Sequence, residues 1–170
     1  LRLIASAGLA LSAALFVVSS SAARHLESPV GDVILTVSGA VEAKGADGVA
    51  RFDLAGLRAL GAREITTSSI WTDGDRTFTG VSLDVFLRHV GATGVTLRAA
   101  AANDYMVNIP VSDAVADGPI IAYEIDGEVM GLRDKGPLWM IYPYDAKAEY
   151  RTDVIFLRSI CQLDRIAVVN

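Results

Sequence analysis

Cysteine and histidine are nearly missing from this sequence of 170 residues. The one cysteine, Cys161, excludes an internal disulfide. It falls in the apolar run FLRSICQLDRIAV, which reads as strand and predicts a buried structural thiol. The two histidines are His25, near the start, and His89, at the end of a predicted helix. No Cys/His pair has zinc spacing. The carboxylates Asp73, Asp75, Asp126, Asp134 and Asp145 are scattered through predicted loops, and DGDR lacks the spaced oxygens and closing Glu of a calcium loop. No metal site is therefore expected from protein side chains alone. A G-x-S-x-G elbow is absent, as is a glycine-rich phosphate loop. Positive charge is also short: 15 Lys and Arg against 20 Asp and Glu leave a net charge of -5. That excludes nucleic acid as a partner, and a small anion would have to be held by local positive charge.

Long hydrophobic runs are confined to the first residues. LRLIASAGLALSAALFVVSSSAA has Arg2, an apolar stretch from Leu3 to Val18, and Ser21-Ala22-Ala23 in the small-x-small pattern of a signal peptidase site. The stretch is short for a membrane span, which needs about 20 apolar residues. Residues 1–23 read as a signal peptide, 24–31 as an exposed leader and 32–170 as one domain. The expected location is periplasmic or secreted, with no membrane span once the signal is removed. Apolar residues at 52% and charged residues at 21% supply a sizeable core for that domain.

What is present is mostly β pattern. VILTVSG alternates with a period of two. FDLAGLRALGA reads as a short helix with Asp53 as N-cap and Gly61 as its stop. GVSLDVFLRHVG is the clearest helix, with Leu83, Phe86, Leu87 and Val90 on one stripe, Ser82 as cap and Gly91 as stop. REITTSSIW, GVTLRAA, DYMVNIPV, GPLWMIYPYD, VIFLRSI and LDRIAVV read as strands. IIAYEIDGEVMG is a hairpin turning at Asp126-Gly127.

The polar and aromatic residues gather in three predicted loops. Trp71, Asp73, Asp75 and Arg76 precede the Leu83 helix; Arg133 and Lys135 follow the hairpin; Tyr142, Tyr144, Asp145, Lys147, Tyr150 and Arg151 follow Trp139. Brought to one end of a sheet, they would form a cleft suited to a flat, anionic, heteroaromatic ligand. Solvated loop charge around half-buried aromatics is the plainer alternative.

The order of F-T-G-V-S-L, Tyr105 to Pro110, AYEIDGE and G-P through Pro143 resembles the molybdopterin-binding domain of the sulfite oxidase family. The resemblance implies an α+β fold, mostly β, with a mixed sheet core and short helices. It also implies a molybdenum-pterin cofactor held between loops and two-electron oxygen-atom transfer. In the family's export-associated branch a cysteine four residues before a Trp ligates the metal; here that position is Thr67. A neutral hydroxyl is a much poorer ligand for such a metal than a thiolate. By the resemblance, the cofactor-facing residues are Thr67, Trp71, Arg76, Arg133, Lys135, Tyr144, Lys147 and Arg151. Molybdopterin and no cofactor stand as equal alternatives. The function expected is an exported, non-catalytic binding or accessory module that has lost molybdenum ligation. Its partner is then a small anionic ligand or an extracytoplasmic protein. The alternative is a molybdopterin-dependent oxidoreductase with altered ligation.

Overall fold

The computed structural model describes residues 26–170. The signal-peptide expectation and His25 lie outside them. Ten strands and three α-helices follow in the order β1 (Leu35–Gly39), β2 (Ala50–Phe52), α1 (Leu54–Ala59), β3 (Arg63–Thr67), β4 (Arg76–Ser82), α2 (Leu83–Val90) and β5 (Thr96–Ala101). Then come β6 (Met106–Pro110), β7 (Ile120–Ile125), β8 (Glu128–Val129), β9 (Trp139–Ile141), α3 (Asp153–Arg158) and β10 (Leu163–Val169). They build two sheets. One has the order β2-β1-β10-β5-β6; the other runs β3-β4-β7-β8, with β9 also paired to β7. Only β1 and β10 run parallel; every other strand pairing is antiparallel. This is the mixed-sheet α+β architecture with short helices that the resemblance implies.

Period-two patterning sets the strand faces. Leu35 and Val37 of β1 are buried while Thr36 and Ser38 point outward. In α2 the four stripe residues Leu83, Phe86, Leu87 and Val90 are all buried. Burying each such side chain is worth about 1.5–3 kcal/mol. Phe86 meets Phe52 edge-on at 5.2 Å, which docks α2 on β2. Gly91 takes a left-handed φ of 61° and its N–H caps the helix end. Ser82 does not cap α2 through its side chain; it is the buried last residue of β4. Asp53 does cap α1, accepting from Gly56 N–H at 2.7 Å. Its other oxygen accepts from Gly31 N–H at 2.8 Å, which ties down the end of the leader. The leader is thus only partly exposed, since Leu26 also rests half-buried on the core. The Asp126-Gly127 turn forms as expected, with both residues at positive φ.

Two element assignments change as well. The segment 153–158, read as strand, is the helix α3, capped by Thr152 accepting from Ile155 N–H at 3.4 Å. The strand expected through ITTSSIW ends at Thr67, and the chain then loops to Arg76. Among the described residues no helix is long and apolar enough to cross a membrane.

Candidate functional site

The alternation of β3 points Ile65 and Thr67 inward, so the last residue of the strand is a threonine with 1% of its surface exposed. A buried hydroxyl needs partners, and Thr67 finds Asp145, 78 residues further along the chain. Thr67 Oγ1 donates to Asp145 Oδ2 at 3.2 Å, with the Ser68 carbonyl as a second acceptor at 3.2 Å. It accepts in return from Asp145 N–H at 3.2 Å. Ser68 N–H donates to the same carboxylate at 2.6 Å and Ser68 Oγ at 2.9 Å. Arg151 donates to Asp145 Oδ1, and to Ser68 Oγ at 3.2 Å. These contacts hold the Asp145 carboxyl below the usual carboxylate range, the Ser68 N–H contributing most. The Thr67 position is therefore a neutral hydroxyl locked against an anionic carboxylate, with Arg151 as counter-ion at the rim.

Beyond the strand the loop carries Trp71 back against the core. Its ring packs edge-on to Trp139 at 5.7 Å and to Phe156 of α3 at 5.7 Å, and lies tilted to Tyr144 at 6.3 Å. Trp71, Trp139 and Lys135 form a shared wall between two hollows. The larger, about 460 Å³, holds Arg76 and Arg133 with Asp73 and Asp126. Arg76 pairs with Asp126 at 2.8 Å, and Lys135 places its ammonium 5.5 Å from the Trp139 ring centre. Arg133 is exposed and has no ion-pair or hydrogen-bond partner among the described residues. The smaller hollow, about 250 Å³, is lined by Phe156, Tyr105 and Cys161.

The eight residues singled out from the sequence thus divide. Trp71, Arg76, Arg133 and Lys135 meet around the larger hollow. Thr67 and Arg151 meet at Asp145. Tyr144 is buried rather than open to a ligand: its hydroxyl donates to Ser159 Oγ at 2.7 Å, and burial pushes its pKa up to about 12. Lys147 lies over the Tyr150 ring at 5.7 Å and joins neither group. Cys161 is not fully buried; it bridges to Trp139 and lines the smaller hollow, although it is distant in sequence from Trp71. His89, at the end of α2, is half-buried with its ring 6.0 Å from Phe52. The sequence pattern does not reveal Phe156, because 153–158 reads as strand, nor the pairing of Asp145 with Thr67, for which no local pattern exists.

Residues 35–150 match the family model described as oxidoreductase molybdopterin binding domain. No curated protein matches the chain. Among solved structures, the sulfane dehydrogenase SoxCD from Paracoccus pantotrophus aligns with a TM-score of 0.61 and 18% identity, over 85% of this chain. The chain spans 40% of the length of that protein, and at this identity the likeness is one of fold. Tested against the cofactor that the family takes, the donor set at Thr67 does not fit a metal. The hydroxyl there is already committed to a carboxylate, and no thiol stands in its place. Among the described residues no three His, Cys, Asp or Glu side chains gather as a metal cluster. The larger hollow is different: its cations and aromatic edges suit a planar anion.

Proposed function

The chain belongs to the oxidoreductase molybdopterin binding domain family, and from that premise we propose an exported, non-catalytic binding module that has lost molybdenum ligation. The observation that carries this reading is the buried Thr67 hydroxyl held against the Asp145 carboxylate at 3.2 Å. A thiolate at that place would face a second anion, and a metal would have to displace the three hydrogen bonds of the Thr67 hydroxyl to reach it. The module keeps the cleft. Arg76, Arg133 and Lys135, beside Trp71 and Trp139, offer charge-assisted hydrogen bonds and ring contacts to a small, flat, anionic ligand. Export is supported by the leading 23 residues, with their apolar run and small-x-small end. An extracytoplasmic protein partner would read the bound state of the cleft.

The family match favours a second reading, a molybdopterin-dependent oxidoreductase with altered ligation. Metal analysis of protein purified from its native compartment separates the two. The binding module carries no molybdenum and no pterin fluorescence after oxidation; near-stoichiometric molybdenum with extractable pterin would overturn it. The cleft is tested by titrating pterin-6-carboxylate while following tryptophan emission. Quenching that disappears in Arg133→Gln/Lys135→Gln supports the ligand site, and quenching that persists in that variant removes it.

A further inference from the structure

The outer face of the first sheet carries a third hollow that shares no residue with the Thr67 or Trp71 sites. Strand register explains its shape. Arg51, Thr36, Arg165, Ala100 and Met106 form one row across all five strands. Two residues along, Ser38, Ala167, Arg98 and Asn108 form the next row on the same face. The floor is therefore Thr36, Ser38, Ala100 and Ala167, all short side chains. Alanine is a poor strand former, so its use at two central positions gives up propensity and leaves space. Arginines rise around that space, enclosing a hollow of about 400 Å³.

The arginines are close enough to share a ligand. Adjacent strands lie about 4.8 Å apart and residues rise about 3.3 Å along each. Arg51 and Arg165 thus start about 10 Å apart, and Arg165 and Arg98 about 8 Å apart. Arg51 pairs with Asp47 at 2.6 Å, and Arg165 with Asp104 at 2.7 Å and Asp164 at 3.3 Å. The Asp47 and Asp104 pairs are solvent-exposed and exchange readily for a better anion. Arg98 is exposed and has no hydrogen-bond or ion-pair partner among the described residues.

We propose that this face binds a compact organic polyanion, with at least two carboxylate or phosphate groups on a small apolar frame. The guanidinium groups of Arg98, Arg165 and Arg51 would take the acidic groups, each able to bond two oxygens at once. Met106, 60% exposed at the end of the row, and the two alanines would cover the frame. The volume suits a small molecule. The aspartates at the rim and the net charge of -5 disfavour a long polyanion such as nucleic acid.

The test is calorimetric titration of the full chain with citrate and, separately, with methylenediphosphonate, in wild type, Arg98→Ala, Arg98→Lys and Arg88→Gln. Binding of at least one probe tighter than about 1 mM is expected. Arg98→Ala, an exposed change at an unpaired residue, keeps the fold by circular dichroism and weakens binding about tenfold or more. Arg98→Lys retains the charge and lies between. Arg88→Gln, on α2 and outside both the cleft and this hollow, leaves the affinity unchanged. Citrate alone, or methylenediphosphonate alone, assigns the acidic group. No heat with either probe overturns the site, and so does binding that survives Arg98→Ala or is lost in Arg88→Gln.

Discussion

At the scale of single residues, Thr67 and Asp145 decide how the cleft is to be understood. The hydroxyl is neutral, buried and bonded on both sides to one aspartate. Replacing it with cysteine would not recreate a free thiolate, because burial and a neighbouring carboxylate both favour the neutral thiol. We predict that the thiol of Thr67→Cys titrates above the ordinary value of about 8.5. It should therefore react slowly with a disulfide reagent at pH 8. Adding Asp145→Asn removes the anion and should speed that reaction about tenfold or more, one pKa unit being a tenfold change in thiolate at fixed pH. Equal rates in the single and double variants would mean that the carboxylate does not govern this position. The double variant is also the fair host for asking whether molybdenum can be regained.

At the scale of elements, α2 shows what periodicity can deliver and α3 what it cannot. The stripe of α2 is four residues long, all of it buried, and closed by a glycine in the left-handed conformation, which glycine adopts without a Cβ clash. Its docking rests on Phe86 against Phe52. Phe86→Ala should destabilise the protein by about 3–5 kcal/mol, measured by urea unfolding; a loss below about 1 kcal/mol would mean that the site collapses around the missing ring. The hairpin at Asp126-Gly127 was equally legible, because its turn needs positive φ at both positions and the dipeptide supplies it. α3 has six residues, of which Val154, Ile155, Phe156 and Leu157 are consecutive apolar ones. Such a run fits strand and helix alike. Only Ile155 is buried, so its signature is one residue and a Thr152 cap. That misreading hid Phe156 from the wall of Trp71. Ser82 failed as a cap for a related reason: β4 runs directly into α2, so Ser82 serves as a strand residue first. The candidate site was legible where charge and aromatics sit close in sequence, at Trp71 and Arg76 and at Arg133 and Lys135. It was illegible where a contact spans the chain, as from Thr67 to Asp145, because register between distant loops leaves no local trace.

At the scale of the whole molecule, the acidic side chains are distributed as fasteners. Asp47 holds a turn through Arg51, Asp53 ties the leader to α1, Asp126 receives Thr77 N–H beside the larger hollow, and Asp145 closes the Thr67 loop. Each carboxyl is held below its ordinary range: Asp47 first by Arg51, Asp53 by Gly56 N–H, Asp126 by Thr77 N–H and Asp145 by Ser68 N–H. A carboxyl depressed in the folded state contributes stability above its unfolded pKa of about 3.9 and loses it as the pH falls through the folded value. For Asp47, lowered to about 2, that window runs from about 4 down to about 2. Acid also leaves the molecule strongly positive, since 15 Lys and Arg are then unopposed by 20 neutralised carboxyls, and that repulsion destabilises any variant alike. A difference measurement removes the common part. Asn cannot be deprotonated, so Asp145→Asn lacks the charged interaction at every pH. The stability gap between wild type and Asp145→Asn should be full at pH 7 and shrink as the pH falls below about 4, as wild type loses the same bonds. Urea midpoints for both proteins at pH 7 and pH 2.5 read this directly. A gap that stays constant would mean that Asp145 acts through its shape and not its charge, and Arg151 would then be an ordinary solvated cation at the rim of the cleft.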